Sequence, residues 1–113
     1  AGRFGKGFYF TTVPSYANYY AFSPRFAERR AGDISIIAAW VLLGKPHYQS
    51  RSDTGRGLEP GCDTHYAFAP NAPVSATGKP PGDEIVVFDA EAILPQFVIE
   101  LQSAAPPAAV TPT

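Results

Sequence analysis

Gly82-Asp83-Glu84-Ile85-Val86-Val87-Phe88-Asp89 is the stretch on which the fold turns. Glu84 to Asp89 joins an acid to β-branched and aromatic residues, the composition of a core strand. Pro80, Pro81 and Gly82 precede it as turn residues, so Glu84 is expected at the strand's first position, held rigidly at a rim. A second segment lies far away in sequence: Gly2 to Tyr20, GRFGKGFYFTTVPSYANYY. It supplies glycines and closely spaced tyrosines. Each segment makes most sense if the other sits beside it. Aromatic faces with one fixed carboxylate suit a site that grips a flat ring and stabilises positive charge on a sugar.

Working outward, Phe8 to Thr12 reads as a short strand. Thr12 is a candidate cap for a helix over Pro14 to Ala21, with Pro14 in its first turn. On that helix Tyr16 and Tyr20 are four apart and share a face. Ser23-Pro24 ends it, and Arg25 to Gly32 is a polar connection. Ile34 to Leu43 is nearly continuous apolar sequence stopped by Gly44. It reads as a strand buried on both faces, with a buried helix as the alternative. Lys45 to Thr64 reads as a long surface loop and His65 to Phe68 as a short strand. Ala69 to Pro81 is a proline-rich loop, and Ala90 to Ile93 a brief turn. Leu94 to Leu101 is a further strand, with Pro95 where a missing donor is tolerable. Ser103 to Thr113 holds Ala, Pro and Thr with one Val, the composition of a disordered tail. The sum is an α+β domain over residues 1–102 followed by a tail over 103–113.

Composition narrows the function. The chain has 113 residues, 45% hydrophobic and 17% charged, with a net charge of -1, enough for one small packed domain. That charge gives no general attraction to nucleic acid or to an anionic membrane, and Arg25, Arg29 and Arg30 read as solvated surface. No apolar run is long enough to span a bilayer, so no membrane partner is expected. Cys62 is the only cysteine; it makes no internal disulfide, supports no cysteine-based zinc site, and favours a reducing compartment. His47 and His65 lack the spacing of a helical metal pair and read as loop or strand-end residues. No metal is expected. The absence of methionine and the start at Ala1 inside a glycine-rich stretch suggest a piece of a longer polypeptide.

Familiar catalytic patterns do not fit. Lys6 is followed by Gly7 where a phosphate loop requires Ser or Thr, and Gly2, Gly5 and Gly7 lack the dinucleotide-fold spacing. No serine sits in a GxSxG elbow, and Cys62 with His65 lies too close in sequence for in-line geometry on a loop. Taken singly, Tyr9 and Tyr20 also read as half-buried core residues with solvent-tipped hydroxyls. Glu84 alone also reads as a surface acid at a strand end.

Six segments together resemble the catalytic domain of poly(ADP-ribose) polymerases and their ADP-ribosyltransferase relatives. Phe4-Gly5-Lys6-Gly7-Phe8-Tyr9-Phe10 resembles F-G-x-G-I-Y-F, and Ser15 to Tyr20 resembles the S-x-S-x-x-Y helix. Ile37 to Gly44 is similar to the apolar central strand ending in L-G, and Gly61 to Thr64 to G-Y-D-S. Asp83 to Asp89 is similar to N-E-Y-V-V-Y-D, and Ile93 to Ile99 to the closing strand. No one segment is specific; their order and spacing over about the first hundred residues carry the resemblance.

The resemblance implies a split antiparallel β-sheet with short helices, incomplete at its N-terminus, and a transferase that uses NAD as a substrate. It implies that Tyr9 stacks on nicotinamide, that Tyr20 is a second aromatic wall, and that Gly7 permits close backbone approach. Glu84 would hold the nicotinamide-ribose hydroxyl and favour the oxocarbenium-like transition state. ADP-ribose would pass to a protein or nucleic-acid acceptor. The family's triad histidine and adjacent glycine lie upstream of the matching region, and neither His47 nor His65 is placed to substitute. Ala17 stands where relatives carry a serine that bonds the nicotinamide amide, and Ser15 points elsewhere. The chain alone is therefore expected to be inactive. A catalytically dead relative that binds NAD, ADP-ribose or a protein is the competing expectation.

Overall fold

The computed structural model describes residues 4–22, 34–49, 57–69 and 79–101. The connections expected at 25–32, most of 69–81 and the tail at 103–113 lie outside the described residues. Six strands and one α-helix follow in chain order: β1 (Phe8–Phe10), α1 (Pro14–Ala21), β2 (Ile34–Val41), β3 (Pro46–Tyr48), β4 (Thr64–Ala69), β5 (Gly82–Val87) and β6 (Ile93–Leu101). A 3₁₀ turn at Ala90–Ala92 leads into β6, with Asp89 accepting from the Glu91 N–H. The fold is α+β, as its alternation of short strands and a helix suggests.

The strands form two sheets. One runs β1-β5-β4-β3 and the other pairs β2 with β6. β5 is antiparallel to both neighbours, whereas β3 and β4 are parallel, so the larger sheet is mixed rather than purely antiparallel. The loop expected from Lys45 to Thr64 contains β3. Gln49 and residues 57–63 are described between these parallel strands, and the Cys62 N–H donates to the Glu59 carbonyl at 3.1 Å.

β5 is an interior strand, flanked by β1 and β4, and all of its residues are buried. Its bounds correct the expectation for Glu84. Gly82 and Asp83 already pair with Ala69 and Phe68, so Glu84 lies inside the strand rather than at its rim, only 8% exposed. The reason is Asp83. Its carboxylate accepts from the Thr11 hydroxyl at 2.7 Å, the Thr12 N–H at 2.7 Å, the Thr12 hydroxyl at 2.6 Å and the Tyr66 hydroxyl at 3.2 Å. Four donors allow an acid to be buried in a strand that would otherwise begin later.

The same bonds take Thr12 away from capping. Val13 is the N-cap of α1, in extended geometry and with no side-chain cap. Pro14 follows at the helix start, where its missing N–H is no loss.

Packing is densest around β5. Phe4, Ala67 and Val86 form the buried cluster, with Tyr9 and Phe88 against it. His65 lies fully buried near the start of β4, within the strand expected from His65 to Phe68: its Nδ1 donates to the Phe4 carbonyl at 2.7 Å and its Nε2 accepts from the Glu59 N–H at 2.9 Å. The carbonyl can only accept and the N–H can only donate, so the ring is the neutral Nδ1-protonated tautomer. His47 lies in β3 beside it.

The β2–β6 ribbon contrasts with this. The apolar run Ile34 to Leu43 is not buried on both faces. Exposed and half-buried residues alternate along β2, and Trp40 is 66% exposed. Across from it, Leu94, Phe97, Val98 and Ile99 are exposed on β6. The register slips between Ala38 and Ala39, which face Phe97 and Pro95 and leave Gln96 as the bulged residue. A bulge beside Pro95 absorbs the ladder bond that proline cannot donate.

Asp83 sets a pH prediction. Burial raises its carboxyl, but the bonds from Thr12, Thr11 and Tyr66 outweigh burial and hold it below the usual carboxylate range. Its stabilisation is therefore complete above the unfolded value, about 3.9, and is lost as pH falls through the lowered folded value. Asp83→Ala is expected to cost about 3 kcal/mol at neutral pH. Thermal unfolding followed from pH 7 to pH 2 should show a weaker acid-dependent loss in the variant than in the wild-type protein.

Candidate functional site

Strand alternation sorts the side chains of β5. Gly82, Glu84 and Val86 point to one face; Asp83, Ile85 and Val87 point to the other. Tyr9 pairs with Val86, His65 pairs with Val86 and Ala67 pairs with Glu84, so all three stand on the Glu84 face. The two distant segments thus meet on one side of one strand, as the sequence suggested for Tyr9 and Glu84.

Tyr9 is fixed at both ends. Its hydroxyl accepts from the Phe4 N–H at 2.9 Å and donates to the Gly5 carbonyl at 2.7 Å, which ties the glycine-rich segment back over the strand. Burial pushes the phenol up; the Phe4 bond opposes this, and the nearby Glu84 charge adds to it. With its hydroxyl engaged, Tyr9 offers its ring and not a proton. Gly7 lies over β5: a Cβ there would stand 2.7 Å from Val86 Cγ1 and 2.7 Å from the Val87 carbonyl oxygen. Its lack of a side chain thus serves packing of the glycine-rich segment against β5.

The helix contributes more than expected. Tyr16, not Tyr20, is the ring on the strand. It is 2% exposed and lies on Gly82, where any Cβ would collide with it. Its hydroxyl stands 3.4 Å from the Tyr20 hydroxyl. Burial, then the Tyr20 bond and the Glu84 charge, push the Tyr16 phenol far above its ordinary value. Tyr20 is half-buried behind it, ring centroids 5.2 Å apart and planes tilted by 56°. Ser15 is exposed and turned away, and Ala17 carries no hydroxyl.

Lys79 completes the surround. Its ammonium lies 5.1 Å from the Tyr16 ring centroid and 5.1 Å from that of Tyr20. Those distances nearly equal the separation of the two rings, so the cation rests in the notch between them, an attractive position for positive charge.

Sequence reading missed Tyr16 and Lys79. The i, i+4 pairing of Tyr16 with Tyr20 was visible, but which ring faces inward depends on contact with Gly82. Lys79 ends a proline-rich stretch and gives no signal. Both His65 nitrogens are taken by backbone, so that ring has no proton to offer at Glu84. Among the described residues no group of three or more His, Cys, Asp or Glu converges on a metal position. Among them, too, no helix is long and apolar enough to cross a membrane.

Chemically, the face offers a buried carboxylate, three aromatic rings and one cation. A carboxylate so held accepts a hydroxyl and stabilises nearby positive charge. Comparison with protein-family models, curated proteins and solved structures gave no match.

Gly82→Ala tests the Tyr16 seat. It is expected to cost about 1–3 kcal/mol in denaturant unfolding through overpacking. In a Tyr16→Ala background the same change should cost much less, because the colliding ring is gone.

Proposed function

We propose that this domain is part of an ADP-ribosyltransferase that uses NAD as its substrate. The observation that supports this best is the placement of Glu84: buried on β5, on the face that carries Tyr9 and Tyr16, with Tyr20 against Tyr16. The ordered resemblance of six segments to the poly(ADP-ribose) polymerase catalytic domain supports the same reading, including its split-sheet architecture.

The chemistry follows from what such a face can do. The bond between the ribose anomeric carbon and the pyridinium nitrogen breaks. Its electron pair leaves with nicotinamide, which becomes neutral. Positive charge grows on the ribose, where an ionised Glu84 stabilises it and holds a ribose hydroxyl. An acceptor oxygen or nitrogen, on protein or nucleic acid, then bonds to that carbon and gives up its proton. Tyr9 and Tyr20 supply ring faces for the flat heterocycle, and Gly7 admits the backbone close to it.

A second reading has its own support. Tyr9 spends its hydroxyl on backbone, and His65 spends both nitrogens on backbone. Such a face binds a nucleotide without a histidine to position it for transfer. In that reading the domain is an inactive NAD- or ADP-ribose-binding or protein-interaction module.

Calorimetry with NAD and a nicotinamide-release assay separate the readings. Tyr9→Ala and Tyr20→Ala are each expected to weaken NAD binding about tenfold, the worth of one stacked ring. Glu84→Gln should keep binding within about threefold while release falls at least about a hundredfold. Binding without release in the wild-type chain favours the module. Unchanged release in Glu84→Gln sinks the catalytic assignment.

A further inference from the structure

His65 takes no part in the chemistry above, yet it is fully buried on the Glu84 face with both nitrogens committed to backbone. We infer that His65 is a positioning residue: its neutral ring ties the Phe4–Gly5 turn that anchors Tyr9 to a second, stiff turn at Glu59–Cys62, and so fixes the ring face of Tyr9. The consequence for NAD rests on the proposed transferase reading; the bracing of Tyr9 does not.

The first turn is built on Gly5, whose φ of 124° suits glycine. Three successive backbone groups there are held by two side chains. The Phe4 N–H donates to the Tyr9 hydroxyl at 2.9 Å, and that hydroxyl donates to the Gly5 carbonyl at 2.7 Å. The Phe4 carbonyl lies between these groups in the chain and accepts from His65 Nδ1 at 2.7 Å. Tyr9 keeps both of its bonds only while the Phe4–Gly5 peptide keeps its orientation, and His65 holds that peptide.

The second turn gives His65 something firm to hold from. The Cys62 N–H donates to the Glu59 carbonyl at 3.1 Å across Pro60 and Gly61, and Gly61 has a φ of 81°. Proline followed by glycine at positive φ is the pattern of a type II turn, with its first central residue fixed by the ring. The turn is moored to the end of β2's extension: the Asp63 N–H donates to the Lys45 carbonyl at 2.8 Å, and the Lys45 N–H donates to the Asp63 carboxylate at 2.7 Å. At the head of the turn the Glu59 N–H donates to His65 Nε2 at 2.9 Å.

The imidazole is itself confined. Phe88 packs on it with centroids 4.7 Å apart, and His47 from β3 with centroids 5.4 Å apart. A ring flipped about its Cβ–Cγ bond would put carbon where each nitrogen now stands and lose both bonds. One tautomer and one orientation therefore serve the two turns together.

Asparagine and glutamine divide the two bonds. In His65→Asn the amide nitrogen stands near the Nδ1 position and still donates to the Phe4 carbonyl. In His65→Gln the amide oxygen reaches the Nε2 position and still accepts from the Glu59 N–H. Each variant loses one buried bond, so a merely structural role predicts similar effects at Tyr9 in both. Amide hydrogen exchange in the full chain reads the difference without NAD. Exchange of the Phe4 amide is expected to rise at least about tenfold in His65→Gln and to stay within about threefold in His65→Asn, with the Glu59 amide showing the reverse. By calorimetry His65→Gln should weaken NAD binding about tenfold, as Tyr9→Ala does, and the double variant should be little worse than either single one. Equal Phe4 exchange in the two variants overturns the inference. So does an imidazole ¹⁵N spectrum of the wild-type chain that shows the proton on Nε2, a measurement that stands if either variant fails to fold. If the exchange pattern appears but the wild-type chain binds no NAD, the transferase reading falls and the bracing of Tyr9 stands.

Discussion

Two consecutive acids on one fully buried strand are the constraint from which the rest of this structure follows. Asp83 and Glu84 cannot share a face, because successive side chains of a strand point oppositely. Each face must therefore solve the burial of a carboxylate separately. On one side the solution is the start of α1, bent so that Thr11 and Thr12 surround Asp83 with donors, while Tyr66 approaches from β4. On the other side lies the body of the same helix, which lays Tyr16 on Gly82, two residues before Glu84 and on the same face. The span from Thr11 to Tyr16 thus packs against both faces of β5, and this fixes the direction of the helix across the sheet.

The two solutions differ in kind. Asp83 is saturated with hydroxyl and backbone donors and serves stability. Glu84 shares its face with the rings of Tyr9 and Tyr16. A carboxylate in such surroundings is expensive to keep charged, which is the condition under which it acts most strongly on charge that develops beside it. The distribution of donors between neighbouring residues separates a structural acid from a chemical one.

Particular residues show what the sequence could reveal. The strand at Phe8 and the helix at Pro14–Ala21 are local in origin. Aromatic runs, a proline at a helix start and apolar alternation carry them. The start of β5 was not legible, because Gly82 and Asp83 look like turn residues until Thr11, Thr12 and Tyr66 are brought beside them from about seventy and seventeen positions away. The exposure of β2 was not legible either. Continuous apolar sequence reads as doubly buried, yet here it forms a two-stranded ribbon with Trp40 and Phe97 in the open. The choice of Tyr16 over Tyr20 was hidden for a third reason: it depends on an absent side chain, that of Gly82.

That last point bears on how the site keeps its shape. A tyrosine held by a glycine has little freedom, since the strand backbone fills one side and Lys79 lies against the ring. The ring cannot leave its seat on Gly82 without lifting the helix from the sheet. The helix in turn is tied to β5 through Thr11, Thr12 and Asp83. Disturbing the acid on one face therefore loosens the acid on the other, although the two side chains never meet. Stability and site geometry are coupled through the rigid span of residues 11 to 16, and protonation of Asp83 is expected to be felt at Glu84 by this route.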